Sequence, residues 1–93
     1  MQDNYANDPV WAKRAKAIVR AEMVRRDLTY QDLEQLLRRM GVEKTAGNLA
    51  TRISSGAFGV QLFLQVMLAM GVRQIDISHL ISQENRADAP VLL

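Results

Sequence analysis

Residues 28–56, LTYQDLEQLLRRMGVEKTAGNLATRISSG, contain two apolar patterns of helical period, each followed by a glycine. Gly41 and Gly56 stand where a left-handed residue commonly ends a helix. The apolar residues recur three or four positions apart, at Leu33, Leu36, Leu37 and Met40 in the first pattern and at Leu49 and Ile53 in the second. Because this spacing places each set on one face of a helix, the stretch predicts two helices joined by a tight turn.

Each of these helices has a threonine where its first turn should begin. Thr29 can accept a hydrogen bond from the backbone N–H three residues later, where Asp32 would complete a capping box. Thr45 is the equivalent cap of the next helix, which is predicted over residues 46–55. Both caps directly precede an apolar pattern, and they therefore indicate where the two helices start.

A further helix is predicted before this pair. Asp8 can cap it and Pro9 suits its first position, so we expect it to run from Pro9 to about Arg26. Its core-facing residues are expected to be those at helical spacing, namely Trp11, Ala12, Ala15, Ile18, Val19 and Met23. A separate side carries the basic residues Lys13, Lys16 and Arg20.

The segment after the pair is the most apolar part of the chain. Residues 60–70, VQLFLQVMLAM, are apolar nearly all round and predict a helix that is buried on most sides. Phe58, just before it, is expected to fill the core. Two covers for this helix remain open: residues 75–82, with a last short helix capped by Asp76 or Ser78, or a second copy of the protein.

Composition places the chain in the all-α class. The 93 residues include only 5 Gly and 2 Pro, and the plentiful Ala, Leu, Met, Arg and Gln favour helices. We therefore predict a compact bundle of about five helices over residues 9–82. This domain is expected to lie between a flexible N-terminal segment, residues 1–8, and a C-terminal tail, residues 83–93.

The residue types exclude most catalytic and metal chemistry. Cysteine is absent and the single histidine is His79, so no disulfide, histidine-based metal site or His-dependent triad is expected. We expect no enzyme activity, no metal and no cofactor. No apolar run reaches the ~18 residues of a membrane span, and the first residues lack the basic start and apolar core of a secretory signal. The expected location is the cytoplasm, without membrane contact.

Positive charge is concentrated in the first half of the chain. Residues 10–52 hold ten Lys or Arg against five Asp or Glu, a net charge of +5, whereas residues 1–9 carry −2 and residues 53–93 carry −1. A basic surface on the first three helices suits a polyanionic ligand. A charge-rich helix face can also serve only to keep a domain in solution.

The helix predicted over residues 46–55 has side chains suited to base edges on the side opposite its core face. Asparagine can pair with adenine and arginine with guanine, in a major groove about 12 Å wide that admits a helix. The predicted base-reading residues are Gly47, Asn48, Thr51, Arg52 and Ser55. The predicted phosphate contacts are Tyr30, Gln31, Arg38, Arg39 and Lys44. This pattern predicts sequence-specific binding of double-stranded DNA by a small transcriptional regulator.

Residues 18–72 resemble the phage Cro/repressor-type (XRE-like) helix-turn-helix domains through the pieces RRDLTYQDL, MGV, ISSG and LAMGV. The resemblance implies a bundle of about five helices, a third helix that reads DNA, and dimers on palindromic sites. By position it implies base contacts at Gly47, Asn48, Thr51 and Arg52, and backbone contacts at Tyr30, Gln31 and Lys44. The chain is also similar to a small group of uncharacterised bacterial domains through LTYQDL and ISSGAF, from which a fold but no activity carries over.

Two features depart from the Cro/repressor pattern. The segment from Thr29 to Gly41 is about one helical turn longer than in that family. Glu34 stands where the family has a small residue that lets the second and third helices pack closely. A longer second helix leaves open whether the third helix keeps its usual angle to the duplex.

A second hypothesis is a helical interaction or dimerisation module that has the shape of a helix-turn-helix but does not read DNA. Residues 60–70 and the apolar end of the chain, residues 90–93, motivate it because they resemble a surface for a partner. On either hypothesis we expect a homodimer, formed through residues 60–70 or through the C-terminal region.

Overall fold

The computed structural model describes residues 9–78 and shows that this part of the chain is all-α. Within it there are four helices: α1 (Pro9–Arg25), α2 (Tyr30–Arg39), α3 (Ala46–Ser55) and α4 (Gly59–Ala69). The predicted bounds of these helices hold to within a residue or so, and the all-α class is confirmed. The Asp8 cap, and residues 79–82 of the predicted last helix, lie outside the described residues. The expected total of about five helices is therefore not reached within residues 9–78.

A single apolar core holds the four helices together. α2 and α3 form the most extensive helix pair, and α1 and α4 each pack against parts of that pair and against each other. The buried side chains are Val19, Met23, Leu33, Leu37, Leu49, Ile53, Phe58, Leu62, Val66, Met67 and Met70. Because every buried residue in the described part of the chain is apolar, the association of the helices depends mainly on removing apolar surface from water.

The predicted caps of α2 and α3 are confirmed. The Thr29 hydroxyl accepts the Asp32 N–H at 3.1 Å, and the Asp32 carboxylate accepts the Thr29 N–H at 2.8 Å. Donation from the Thr29 N–H, and then from its hydroxyl, holds the pKa of Asp32 below its ordinary value. At α3 the Thr45 hydroxyl accepts the Asn48 N–H at 3.0 Å. Each cap satisfies a first-turn amide that has no partner within the helix.

All four described helices end in the same backbone motif. A residue just beyond each helix donates its N–H to a carbonyl five positions earlier: Leu28 to Met23, Val42 to Leu37, Ala57 to Arg52, and Val72 to Met67. This geometry requires a left-handed residue directly before the donor. Gly41, Gly56 and Gly71 supply it, with φ of 83°, 74° and 82°, and Asp27 supplies it after α1 with φ of 55°. The glycine stops predicted at Gly41 and Gly56 are therefore confirmed.

The first turns of α1 differ from the prediction. Trp11 is 47% exposed instead of anchored in the core, and the Arg14 guanidinium lies 4.4 Å from the centre of its ring. The reason is that the buried residues of α1, Val19 and Met23, lie in the second half of the helix. The beginning of α1 extends beyond the core.

Within the described residues α4 is buried on one side only, whereas the sequence predicts burial on most sides, by residues 75–82 or by a second copy. Val60 is 73%, Leu64 57% and Leu68 67% exposed. These residues are four positions apart and form a continuous apolar stripe, called the α4 stripe below. Ile75 and Ile77 are themselves 38% and 58% exposed. α1 and α2 pack against the other side of the helix, so its outer surface stays open within the described part of the chain.

Candidate nucleic-acid interface

Glu34 connects α2 directly to the beginning of α3. One oxygen of its carboxylate accepts the backbone N–H of Ala46 at 2.7 Å, and the other accepts from the Arg38 guanidinium at 2.8 Å. A carboxylate at a helix N-terminus pairs with an amide that lacks an intrahelical partner and interacts favourably with the helix dipole. Glu34, which stands where the Cro/repressor pattern has a small residue, therefore helps to set the position of α3 relative to α2.

We expect Glu34→Ala to lower the free energy of unfolding by about 1.5–2 kcal/mol, because the partly buried Ala46 N–H loses a charged acceptor. Glu34→Gln is the matched control: its amide oxygen can still accept from Ala46, and the loss should stay below about 1 kcal/mol. Urea denaturation of the two variants measures the difference. Equal losses would show that the bond to Ala46 contributes little to stability.

α3 presents a polar surface on the side opposite its buried residues, Leu49 and Ile53. Five exposed residues form this surface, called the outer arc below: Gly47, Asn48, Thr51, Ser54 and Ser55. It contains every predicted base-reading residue except Arg52. Ser54 was not predicted, although its position three residues after Thr51 already placed it on the same side of a helix.

The two residues at the start of the outer arc are open to the surroundings. A Cβ added at Gly47 would have no heavy atom within 4 Å, so nothing in the described part of the chain requires a glycine there. The backbone N–H of Asn48 is bonded to the Thr45 hydroxyl, and its side-chain amide stays exposed. Both residues are therefore available to a ligand that approaches the beginning of α3.

The residues at the end of the outer arc are more constrained. The Ser55 hydroxyl donates to the Arg52 carbonyl at 3.0 Å and accepts the Ala57 N–H at 3.2 Å. It is thus used locally where α3 ends, and a base contact by Ser55 would have to compete with these bonds. Arg52 is half-buried at the edge of the arc, because it lies closer to the core face than Thr51 or Ser55.

Arg52 lies on a groove between α3 and α4, called the α3–α4 groove below. The groove has a volume of about 550 Å³, and its polar lining consists of Lys44, Arg52, Gln61 and Gln65. The two glutamines are absent from the predicted site, since residues 60–70 are predicted only as a nearly all-apolar helix. Their spacing of four residues was the available signal, since it places both on one face of α4.

The predicted phosphate contacts fall into different environments. Gln31 and Arg39 are exposed, and Lys44 lines the α3–α4 groove. Arg38 is half-exposed, but its guanidinium pairs with Glu34 at 2.8 Å and approaches Glu43 at 4.0 Å. A phosphate would have to compete with these carboxylates for Arg38.

Tyr30, a predicted phosphate contact, does not present its hydroxyl to the outside in this structure. The ring packs against the core, and the hydroxyl oxygen is buried without a hydrogen-bond partner among the described residues. The Arg20 guanidinium lies 5.9 Å from the centre of the ring. Arg20, an exposed cation of α1, therefore lies beside the beginning of α2 and adds to the basic surface there.

Two further observations concern metals and membranes. Among residues 9–78, no group of three or more His, Cys, Asp or Glu is arranged to hold a metal ion. None of the helices described for this part of the chain combines the length and the apolar composition needed to cross a bilayer.

Comparison with known proteins yields one family. The family model described as a domain of unknown function (DUF6471) matches residues 11–75, which include α2, α3, α4 and all but the first residues of α1. No curated protein and no solved structure matches the chain. The match agrees with the predicted likeness to uncharacterised domains, whereas the resemblance to Cro/repressor domains stays a prediction.

Proposed function

Because the chain belongs to the DUF6471 family, whose description gives no activity, we propose from its surface that it binds double-stranded DNA with α3 in the major groove. On this proposal it acts as a sequence-specific transcriptional regulator, and α2, the turn and α3 form a helix-turn-helix. The observation that carries the proposal is the polar outer arc, which is exposed on a helix fixed to its neighbours at its beginning and along its core face.

The chemistry of the outer arc suits base recognition. The exposed Asn48 amide carries both a donor and an acceptor, as adenine recognition in the major groove requires. Thr51, one turn later on the same side, offers a hydroxyl and a methyl group to the neighbouring base pair. Gly47 leaves space at the beginning of the helix, where the backbone of α3 would come close to the duplex.

Cations flank the outer arc, as contact with a phosphate backbone requires. Arg39, Lys44 and Arg52 have no carboxylate partner within 4.0 Å among residues 9–78. They come from the end of α2, the turn and the second half of α3. Together with the exposed Gln31 at the start of α2, they supply contacts that orient a protein on a duplex without reading its sequence.

A fluorescence-anisotropy titration of the full chain against random duplex DNA tests the proposal. We expect binding that weakens as salt is added, with the slope of log K against log salt steepened by about 0.9 for each phosphate contact. Selection of preferred sites from a random pool should then yield a defined sequence. Absence of binding even at about 20 mM salt, where phosphate contacts are strongest, would refute the proposal.

The alternative proposal is a helical interaction module that does not read DNA, and the α4 stripe favours it. Its members, Val60, Leu64 and Leu68, are more than half exposed, and an apolar pocket of about 340 Å³ beside Val60 is lined by Trp11 and Phe63. Contiguous apolar surface of this kind commonly marks a contact with another protein.

On either proposal we expect a homodimer through α4 or the C-terminal region. Multi-angle light scattering of the wild type and of Leu64→Glu tests the α4 contact, because a carboxylate in the middle of an apolar contact would be costly to bury. The wild type should have twice the mass of the variant. A monomeric wild type would refute the proposed homodimer, but it would not refute a contact between the α4 stripe and a different protein.

A further inference from the structure

We propose that the α3–α4 groove binds a phosphodiester group through Lys44, Arg52, Gln61 and Gln65. The inference deepens the proposed function and rests on it where the phosphodiester is taken to be that of DNA. Like the proposed function, it assigns Arg52 to the nucleic-acid backbone instead of the base edge predicted from the sequence.

The first argument is the convergence of two cations without carboxylate partners. Lys44 precedes the cap of α3 and Arg52 lies in the second half of that helix, yet both line the same groove. Neither has a carboxylate within 4.0 Å among the described residues. Glu43, next to Lys44 in sequence, approaches Arg38 instead. Two neighbouring positive charges repel one another, and an anion between them relieves that repulsion.

The second argument is the composition of the opposite wall. α4, GVQLFLQVMLA, has no charged side chain, so this wall contains no carboxylate that would repel an anion. Its contributions to the groove are the amides of Gln61 and Gln65, each of which can donate two hydrogen bonds from its NH₂ group. The groove therefore combines an ammonium, a guanidinium and two neutral donors, which is a suitable set for phosphate oxygens.

The third argument is the position of the groove. Arg52 follows Thr51 directly, so the groove borders the outer arc. A nucleic-acid strand with a phosphate in the groove would have its adjacent bases near Asn48 and Thr51. The groove is also an open surface feature of about 550 Å³, which has room for part of a polymer backbone.

Direct observation of the groove provides a test that does not depend on DNA. The ¹⁵N-labelled full chain is titrated with inorganic phosphate, and sodium chloride at the same ionic strength is the reference. We expect saturable shifts of the side-chain NH₂ signals of Gln61 and Gln65 and of the Arg52 Nε–H signal. The NH₂ signal of Gln74, an exposed glutamine beyond the other end of α4, should not move. Absence of selective shifts at the groove would overturn the proposal.

A matched pair of variants tests whether the groove contributes to duplex binding. Gln61→Glu introduces a carboxylate into the groove, whereas Gln74→Glu makes the same change of charge beyond the other end of α4. We expect Gln61→Glu to weaken DNA binding roughly five- to tenfold at about 0.1 M salt and to reduce the salt slope by about 0.9, as loss of one phosphate contact predicts. Gln74→Glu should change binding less than about twofold.

The two experiments separate failure of this inference from failure of the proposed function. If phosphate shifts the NMR signals of the groove residues but the protein does not bind duplex DNA, the anion site is supported. The DNA-binding function is then refuted. If the protein binds DNA and Gln61→Glu weakens binding no more than Gln74→Glu does, the DNA-binding function stands. The proposed phosphodiester site in the groove is then refuted. Far-ultraviolet circular dichroism of both variants confirms that a loss of binding does not come from unfolding.

Discussion

Gly56→Ala is expected to lower the free energy of unfolding by about 3 kcal/mol or more, a large part of the stability of a domain of this size. Gly56 has a φ of 74°, in the left-handed region where a side chain is unfavourable. A Cβ there would also lie 2.4 Å from the carbonyl oxygen of Ala12 and 2.8 Å from its carbonyl carbon. Backbone atoms cannot rotate out of the way, so α1 would have to move away from the end of α3.

The other glycine stops separate these two contributions. Gly41 and Gly71 have nearly the same backbone, with φ of 83° and 82°, but an added Cβ would have no heavy atom within 4 Å at either position. Gly71→Ala should therefore lose only the conformational contribution, about 1 kcal/mol. Chemical denaturation followed by circular dichroism measures both variants. If Gly56→Ala and Gly71→Ala lost the same stability, the close approach to Ala12 would be energetically unimportant.

Thr51→Glu is expected to weaken binding of duplex DNA by roughly 100-fold, or about 2.8 kcal/mol, at low salt. Thr51 is exposed in the middle of the outer arc, where the proposed function places it against base edges. A carboxylate at this position would face the electronegative base edges and the phosphates of the DNA major groove. The loss should be greatest at low salt, because screening reduces repulsion between charges.

The same variant should fold normally, which makes its effect on binding interpretable. Thr51 lies on the solvent side of α3, and glutamate has a higher helix propensity than threonine. We expect the free energy of unfolding to change by less than about 0.5 kcal/mol. Gln74→Glu is the control for net charge. A stable Thr51→Glu variant that binds duplex DNA as tightly as this control would exclude the outer arc from the interface.

Glu34 is expected to affect both stability and DNA binding, because it sets the position of the outer arc and does not contribute to its chemistry. Its bond to Ala46 joins a residue of α2 to the first residue of α3. If α3 enters a duplex, Glu34→Ala should weaken binding in addition to lowering stability, whereas Thr51→Glu should affect binding alone. This contrast distinguishes residues that position α3 from residues that contact the ligand.

The helices and their ends could be predicted from the sequence because the interactions that determine them are local. Thr29 caps α2 through a residue three positions away, and the bond from Val42 to Leu37 that follows Gly41 spans five positions. The buried residues of α3, Leu49 and Ile53, follow from the helical period, which also identifies the opposite side as the outer arc.

Helical period alone did not show which apolar faces would be covered. The α4 stripe and Trp11 are as apolar as the core, yet they are exposed within the described part of the chain. Tyr30 shows the reverse, since a residue predicted to reach phosphate has its hydroxyl buried. Burial depends on the relative position of whole helices, which is a property of the packed bundle.

Sequence alone therefore determined where this chain forms helices and which side of α3 is polar, since hydrogen bonds within five residues and the helical repeat decide both. Only the tertiary structure decided that Gly56 must approach Ala12, that Glu34 meets Ala46, and that Arg52 shares a groove with Gln61. The residues of each pair lie on, or directly beyond the end of, different helices. Their contact depends on how the helices pack together, because apolar burial is non-directional and does not by itself specify which polar groups become neighbours.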